Sequence, residues 1–365
     1  MTGRHFENPV YPAIRRLSSR SVYMSNENMG TIERLVVATL GEATGRRTLD
    51  MLAIDPALLA ERGETVSRAA FAMALNIALF HDLLRRVPSG DAYVADALAR
   101  GGKVMFDHGA LRAIRFPDGP TGALPGGEDA FTRIFLPLGY EMAAVYPLDR
   151  LKMTGRAYRH RDYPDAIPQF FLSELHVDRF DAEFGAAAAR VFGTSRDPLD
   201  ADAKAVLDRY AAGEAVAFAV AVMALPTILA AFDRQHELPA FADYQLLLSR
   251  SNEAAWIATE GNAFNHATDR VTDVAALADR LKAEDRPMKE KLEISATGRV
   301  RQTAFRADSV ERLFADGEWR QVPGSFYEFI SRDIDPETGR IDLAFDTGNA
   351  TGIFAMTSAQ ESAAR

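Results

Sequence analysis

The chain of 365 residues contains no cysteine. That removes disulfides, thiolate zinc sites, iron–sulfur clusters and a thiol nucleophile together, and leaves His, Asp and Glu as the strong metal ligands. Long apolar runs are also missing. The nearest to one, "AVAFAVAVMALPTILAAF" from Ala215 to Phe232, is alanine-rich and broken by Pro226, so it reads as a buried helix pair and not as a membrane span. The opening "MTGRHFENPVYPAIRRL" shows no apolar stretch followed by a small-residue cleavage site, so no secretory signal is expected and the cytoplasm is the expected compartment. Positive charge is in deficit: 42 Lys and Arg stand against 51 Asp and Glu, a net charge of −9. This balance argues against nucleic acid or an anionic membrane as a general partner and leaves room for a local basic pocket. No glycine-rich phosphate loop follows a strand, and neither HExxH nor G-x-S-x-G occurs, which sets aside nucleotide-driven and serine-hydrolase chemistry.

What is present is the composition of a globular protein, 47% hydrophobic and 25% charged. Its texture divides the chain into four stretches. Residues 1–100 read as a helical N-terminal region, with apolar residues three and four apart in "AAFAMALNIALFHDLLRRV", where His81 is a helix histidine. Residues 101–180 read as strand, helix, strand, strand, strand. Residues 181–255 turn helical again and form an insertion. In 256–365 the order strand, helix, strand, strand, strand returns, followed by a C-terminal tail. The expected fold class is α+β: two βαβββ modules forming one cupped mixed sheet, with helical additions, in one compact unit.

The segment "VMFDHGALRAI" shows what such a cup is able to hold. On a strand, successive side chains alternate, so Phe106, His108, Ala110, Arg112 and Ile114 share a face. At roughly 3.3 Å per residue, the Cα atoms of His108 and Arg112 stand about 13 Å apart, and a small ligand fits between them over Ala110. Gly109 allows either a bulge or a close backbone approach. The second mixed stretch opens alike, with His266 in "NAFNHATDR". A pseudo-twofold pairing of the modules sets the two first strands side by side and both imidazoles in one cavity. Glu328 in "SFYEFISRD" supplies a carboxylate that is costly to bury alone. Two imidazoles and one carboxylate form the facial set that suits non-haem Fe(II), with manganese, cobalt or nickel as less specific fits. Glu174, in the last strand of module one, leaves a four-ligand site open. His160 and His176 are weaker candidates for orienting a ligand, Arg156 either lines the cavity or closes an ion pair, and His5 and His236 lie in polar, loop-like surroundings.

The segments "FDHGALRAI", "MTGRAYRH", "IPQFFLSELH", "FNHATDR", "YEFISRD" and "NATGIF", in that order from Phe106 to Phe354, resemble the 2-oxoadipate dioxygenase/decarboxylase family, which is related to the vicinal oxygen chelate superfamily. The resemblance implies a divalent metal held by His108, His266 and Glu328, and an arginine, Arg112, that takes the distal carboxylate of the substrate. Thr351 and Gly352 in "NATGIF" are its candidates for further substrate contacts. It implies Fe(II)-dependent conversion of a 2-oxo dicarboxylic acid, 2-oxoadipate, with O2 to 2-hydroxyglutarate and CO2, as in lysine catabolism. Two rivals stand beside it: an oxygen-independent metal lyase, isomerase or hydrolase, and a dicarboxylate-binding protein without turnover.

Overall fold

The computed structural model describes residues 29–345. The chain begins with α1 (Thr31–Leu40), α2 (Glu42–Met51), α3 (Pro56–Leu59), the short β1 (Thr65–Val66), α4 (Arg68–Arg86) and α5 (Pro88–Ala99). The first module follows as β2 (Phe106–Arg115), α6 (Asp129–Phe135), β3 (Tyr140–Leu148), β4 (Met153–His160) and β5 (Gln169–His176). The helical insertion comprises α7 (Ala182–Phe192), α8 (Ala201–Ala211), the short β6 (Val216–Ala217), α9 (Phe218–Leu229), α10 (Phe241–Leu248) and α11 (Asn252–Glu260). The second module is β7 (His266–Arg270), α12 (Val274–Ala283), β8 (Glu293–Ile294), β9 (Val300–Ala304), β10 (Ser309–Leu313), β11 (Trp319–Pro323) and β12 (Phe326–Arg332), with a small hairpin of β13 (Ile334–Asp335) and β14 (Arg340–Ile341) behind it.

Eight strands form one curled mixed sheet in the order β3-β4-β5-β2-β7-β12-β9-β8. Each half places its first strand beside its last, and the pairing is parallel in both: β2 with β5, and β7 with β12. The halves join through the antiparallel pair β2–β7, so the two first strands do meet at the centre. The hairpin β10–β11 stands outside this sheet, inserted between the third and fourth strands of the second module. Sequence texture did not reveal it, because "SVERL" and "WRQVP" carry too few apolar residues to read as strands.

The convex face is covered by helices. Helix α4 starts at Ser67, whose side chain accepts from the Ala70 N–H, and its residues Ala69–Phe80 are all buried. A helix that is apolar all round belongs in the middle of a layer. Its Phe80 ring lies 5.1 Å from Phe106, and Phe135 of α6 stacks on Phe170 of β5 at 4.3 Å. The apolar run at 215–232 forms one helix, α9, with Pro226 inside it and a 3-10 turn after it; a helix pair does not form, and Met223 is exposed. Among the described residues no helix is long and apolar enough to cross a membrane. The concave side receives α7, α10 and α11, which pack on Ile114, Met153 and Leu175. Residues Trp256–Glu260, read from sequence as the start of a strand-like run, are the end of α11.

One departure fixes the geometry of the site. The β2–β7 register shifts between Phe106 and His108, so Asp107 is an extra residue in the ladder. A bulge reverses the alternation before it. Phe106 therefore joins Leu111 and Ala113 in the helix-side core and does not share the face of His108. Gly109 serves the close approach: a Cβ there would lie 2.2 Å from Cζ of Phe264, whose ring tip abuts the β2 backbone at this position.

Candidate metal centre

The three central strands align the candidate ligands in rows. His108 on β2 faces Thr268 on β7, and Thr268 faces Glu328 on β12. One row along, Ala110 faces His266 and His266 faces Phe326. His266 thus sits diagonal to His108, with the ring centroids 5.6 Å apart. Nε2 of His108 is 3.2 Å and Nε2 of His266 is 3.4 Å from Oε2 of Glu328. One ligand atom from each of the three lies within 4.8 Å of the others, all three residues are buried, and they are the only such group among the described residues.

Charge in the cluster is unevenly compensated. The Thr268 hydroxyl donates to Oε2 of Glu328 at 2.6 Å, whereas Oε1 is buried with no hydrogen-bond partner among the described residues. A buried carboxylate oxygen without a donor is costly. Burial pushes the Glu328 carboxyl up, but His266 and His108 outweigh it and hold it below the usual range. Burial pushes His108 down, yet its hydrogen bonds to Asp107 and Glu328 raise it overall. His266 is driven down to about 3, first by burial. Two imidazole nitrogens and a carboxylate with an oxygen unsatisfied among the described residues, all converging, fit a divalent cation.

Behind His108 stands a buried ionic cluster. Its Nδ1 donates to Asp107 at 2.8 Å, and Asp107 accepts from Arg270 at 2.6 Å and Arg332 at 2.9 Å. Burial pushes Asp107 up, but these two guanidinium groups hold it well below its ordinary value. His266 is backed more weakly, with Nδ1 3.3 Å from Oδ1 of Asn265.

Arg112 lies two residues beyond Ala110 on the same face, fully buried, with its guanidinium 5.1 Å from the Trp256 ring of α11. Burial lowers it to about 10, against the nearby Glu253 carboxylate, and leaves it charged at neutral pH. Between this charge and the histidines the walls are apolar. Phe171 faces Ala110 across β5, and the Phe345 ring lies 4.8 Å from both His108 and Phe171.

Other sequence candidates are engaged elsewhere. Glu174 is on the opposite face of β5, paired with Arg115 at 2.8 Å and Arg156 at 2.9 Å. Arg156 thus closes an ion pair with Glu174 and Glu128 and does not line the cavity. The strand register makes Phe171 the counterpart of Glu328. His176 bonds to the Thr154 hydroxyl at 2.8 Å, and half-buried His81 lies on α4. Thr351, Gly352 and His5 lie outside the described residues.

Nδ1 of His160 accepts from the backbone N–H groups of Asp162 and Tyr163 at 3.2 Å. His236, expected in a polar loop, is buried, with Nε2 bonded to the Ala258 carbonyl at 2.9 Å and its ring against Phe192. Burial lowers both histidines to about 4. Between the ordinary histidine value of about 6.5 and that level the unfolded chain binds protons that the folded chain does not, so stability falls as pH falls through this window. Each histidine is expected to contribute about 1–3 kcal/mol to that loss. Urea denaturation of the metal-free protein at pH 7 and pH 4.5 measures it, and His236→Gln should flatten the slope.

Sequence reasoning passed over Thr268, Asp107, Arg332 as a partner of Asp107, and Phe345. Thr268 was within reach, since alternation puts it on the face of His266. Asp107 was hidden by the bulge, and Phe345 carries no sequence signal.

A duplicated βαβββ cup whose two first strands meet at a buried cluster of potential metal ligands defines a glyoxalase-like protein. A structure from Ralstonia eutropha JMP134, described as a glyoxalase superfamily protein, is 50% identical and superposes with a TM-score of 0.82 over 87% of this chain and 99% of that one. The family model for 2-oxoadipate dioxygenase/decarboxylase matches residues 82–341, and the chain belongs to that family. The chloroplastic 2-oxoadipate dioxygenase/decarboxylase of Arabidopsis thaliana is 25% identical over 291 residues, 70% of this chain and 68% of that protein. The hydroxyglutarate synthase of Oryza sativa, solved in complex with 2-oxoadipate, shares the fold with a TM-score of 0.63 at 21% identity, over 82% of this chain and 97% of that one.

Proposed function

We propose that this chain is a cytoplasmic Fe(II)-dependent dioxygenase of lysine catabolism that converts 2-oxoadipate and O2 to 2-hydroxyglutarate and CO2. His108, His266 and Glu328 would hold the metal. Bound there, Fe(II) supplies a chelation point for the 2-oxo acid and the activation of dioxygen. The residues of the chain do the rest. Arg112 receives the distal carboxylate through a charge-assisted pair that a lysine does not reproduce. Ala110 leaves room for the methylene chain, and Phe171 and Phe345 keep water away from it. Thr351 and Gly352 are proposed to add substrate contacts.

The observation that carries the reading is the pairing of ends along one strand face: a metal-ligating cluster at His108, a buried guanidinium at Arg112, and a small, apolar interval between them. That is the complement of a molecule with a chelating 2-oxo acid at one end and a carboxylate at the other.

The test is oxygen uptake by the Fe(II)-loaded protein with 2-oxoadipate. One O2 should be consumed for each CO2 released, and with 18O2 both labelled atoms should appear in 2-hydroxyglutarate, one in its new carboxylate and one in its hydroxyl. CO2 release without oxygen uptake would mean an oxygen-independent lyase, and binding without turnover a dicarboxylate-binding protein.

A further inference from the structure

The guanidinium of Arg332 faces two ways. Its Nε and Nη2 donate to the Asp107 carboxylate at 3.0 and 2.9 Å. Its Nη1 donates to the carbonyls of Asp342 and Ala344 at 2.9 and 2.8 Å. The first set reaches His108, because Asp107 accepts from its Nδ1. The second set holds residues 342–345, an irregular strap leading from β14 back across the sheet, which carries Phe345 over the His108 ring. The backbone N–H of Phe345 donates to the Tyr146 hydroxyl at 3.0 Å, and the guanidinium carbon of Arg332 stands 5.2 Å from the Phe345 ring. The side chains of Arg332 and Asp107 are both fully buried.

Surface adhesion of the strap does not need such an arrangement. Carbonyls at a strap are satisfied by water at little cost, whereas burying a guanidinium is expensive unless every donor finds a fixed acceptor. The planar fork spends its donors on two structures that have no other hydrogen bond in common among the described residues, the support of a candidate metal ligand and the cover over it. Arg270 already neutralises Asp107 at 2.6 Å, so charge balance alone does not require a second arginine.

We propose that Arg332 is a positioning residue that couples the orientation of His108, through Asp107, to the seating of Phe345 over the cluster. The inference rests on the metal reading above and concerns how ligand and cover move together. Metal uptake that fixes His108 then steadies the strap, and a seated strap in turn raises the affinity for the metal, because coupling between two sites is reciprocal.

Co(II) serves as the probe, with its affinity taken from titration and its escape from the rate of extraction by EDTA. Asp107→Asn, which weakens the support of His108 directly, should raise the Co(II) Kd by about 10- to 100-fold. Phe345→Ala, which removes the cover alone, should speed extraction with little change in the titrated geometry, read as an unaltered d–d spectrum. Arg332→Lys keeps the charge and loses the fork, and should do both. A purely structural arginine would lower the melting temperature and leave Kd and extraction per folded molecule as in the wild type, and that result would overturn the proposal. Hydrogen exchange on the unmodified protein makes the test independent of whether Arg332→Lys folds: Co(II) should slow exchange at residues 342–345 by about fivefold or more, and unchanged exchange there would overturn the coupling. A wild-type protein that binds no Co(II) would overturn the metal reading itself, an outcome distinct from either of these.

Discussion

Replacing Glu328 by glutamine is expected to lower the affinity for Fe(II) or Co(II) by at least about 100-fold, more than the loss of a supporting residue behind a ligand, and to abolish turnover. The substitution keeps the shape of the side chain and removes its charge. In the row His108–Thr268–Glu328 the carboxylate is the only anionic ligand atom offered to the cation, and Oε2 already lies 3.2 and 3.4 Å from the two imidazole nitrogens. A glutamine amide turned toward His266 would present hydrogen where a lone pair is needed. The metal-free fold should tolerate the change. Glutamine keeps the volume of the side chain and an oxygen that accepts from the Thr268 hydroxyl, so the cost is confined to the contacts the carboxylate makes with the two imidazoles. Thermal melting should therefore show a folded variant, while calorimetric titration shows the metal lost. The same titration has a second readout. Glu328 is one of the two acceptors that raise His108, so metal binding to the wild type should release more protons than residual binding to the variant.

The other large effect belongs to Arg112. Arg112→Met is expected to lower kcat/KM for 2-oxoadipate by roughly 30- to 1,000-fold, the range for removing one partner of a buried charge pair at about 2–4 kcal/mol. Most of the loss should fall on KM, because the guanidinium meets a carboxylate remote from the reacting carbons. Methionine retains an unbranched stem to pack beside Trp256, which separates lost charge from lost packing. The selectivity should change with it. Without the cation, a 2-oxo acid of equal length lacking the distal carboxylate should be handled about as well as 2-oxoadipate, since neither end-group then has a buried counter-charge. Metal affinity should stay as in the wild type, with Arg112 two strand positions beyond Ala110. A variant that loses metal together with substrate would show that the two ends of the pocket are not separate functions.

How much of this was legible in the sequence divides along physical lines. Alternation on β2 put His108, Ala110 and Arg112 on one face, and the repeated order of strand and helix brought His266 beside them; local periodicity and topology carry that information. The bulge at Asp107 lies beyond it. An extra residue in a ladder is decided by how β2 and β7 pair across a separation of 160 residues, and nothing in "FDHGA" states which residue is left unpaired. The bulge moved Phe106 to the core and delivered Asp107 to Nδ1 of His108 in one step. Glu174 illustrates the opposite failure: its identity suggested a ligand, while its strand phase directs it to Arg115 and Arg156 on the other face. Phe345 owes its place to a strap without periodicity, held by Arg332 and Tyr146, and such long-range fixing leaves no local trace.

Anomalous diffraction from crystals loaded with Fe(II) or Co(II), recorded at the absorption edge of the metal, tests the central claim most directly. A single peak should lie between the strands β2, β7 and β12, about 2.0–2.2 Å from Nε2 of His108, Nε2 of His266 and a carboxylate oxygen of Glu328, as for first-row divalent ions on such ligands. A loaded crystal whose peak lies elsewhere, or touches fewer than these three side chains, would contradict the account.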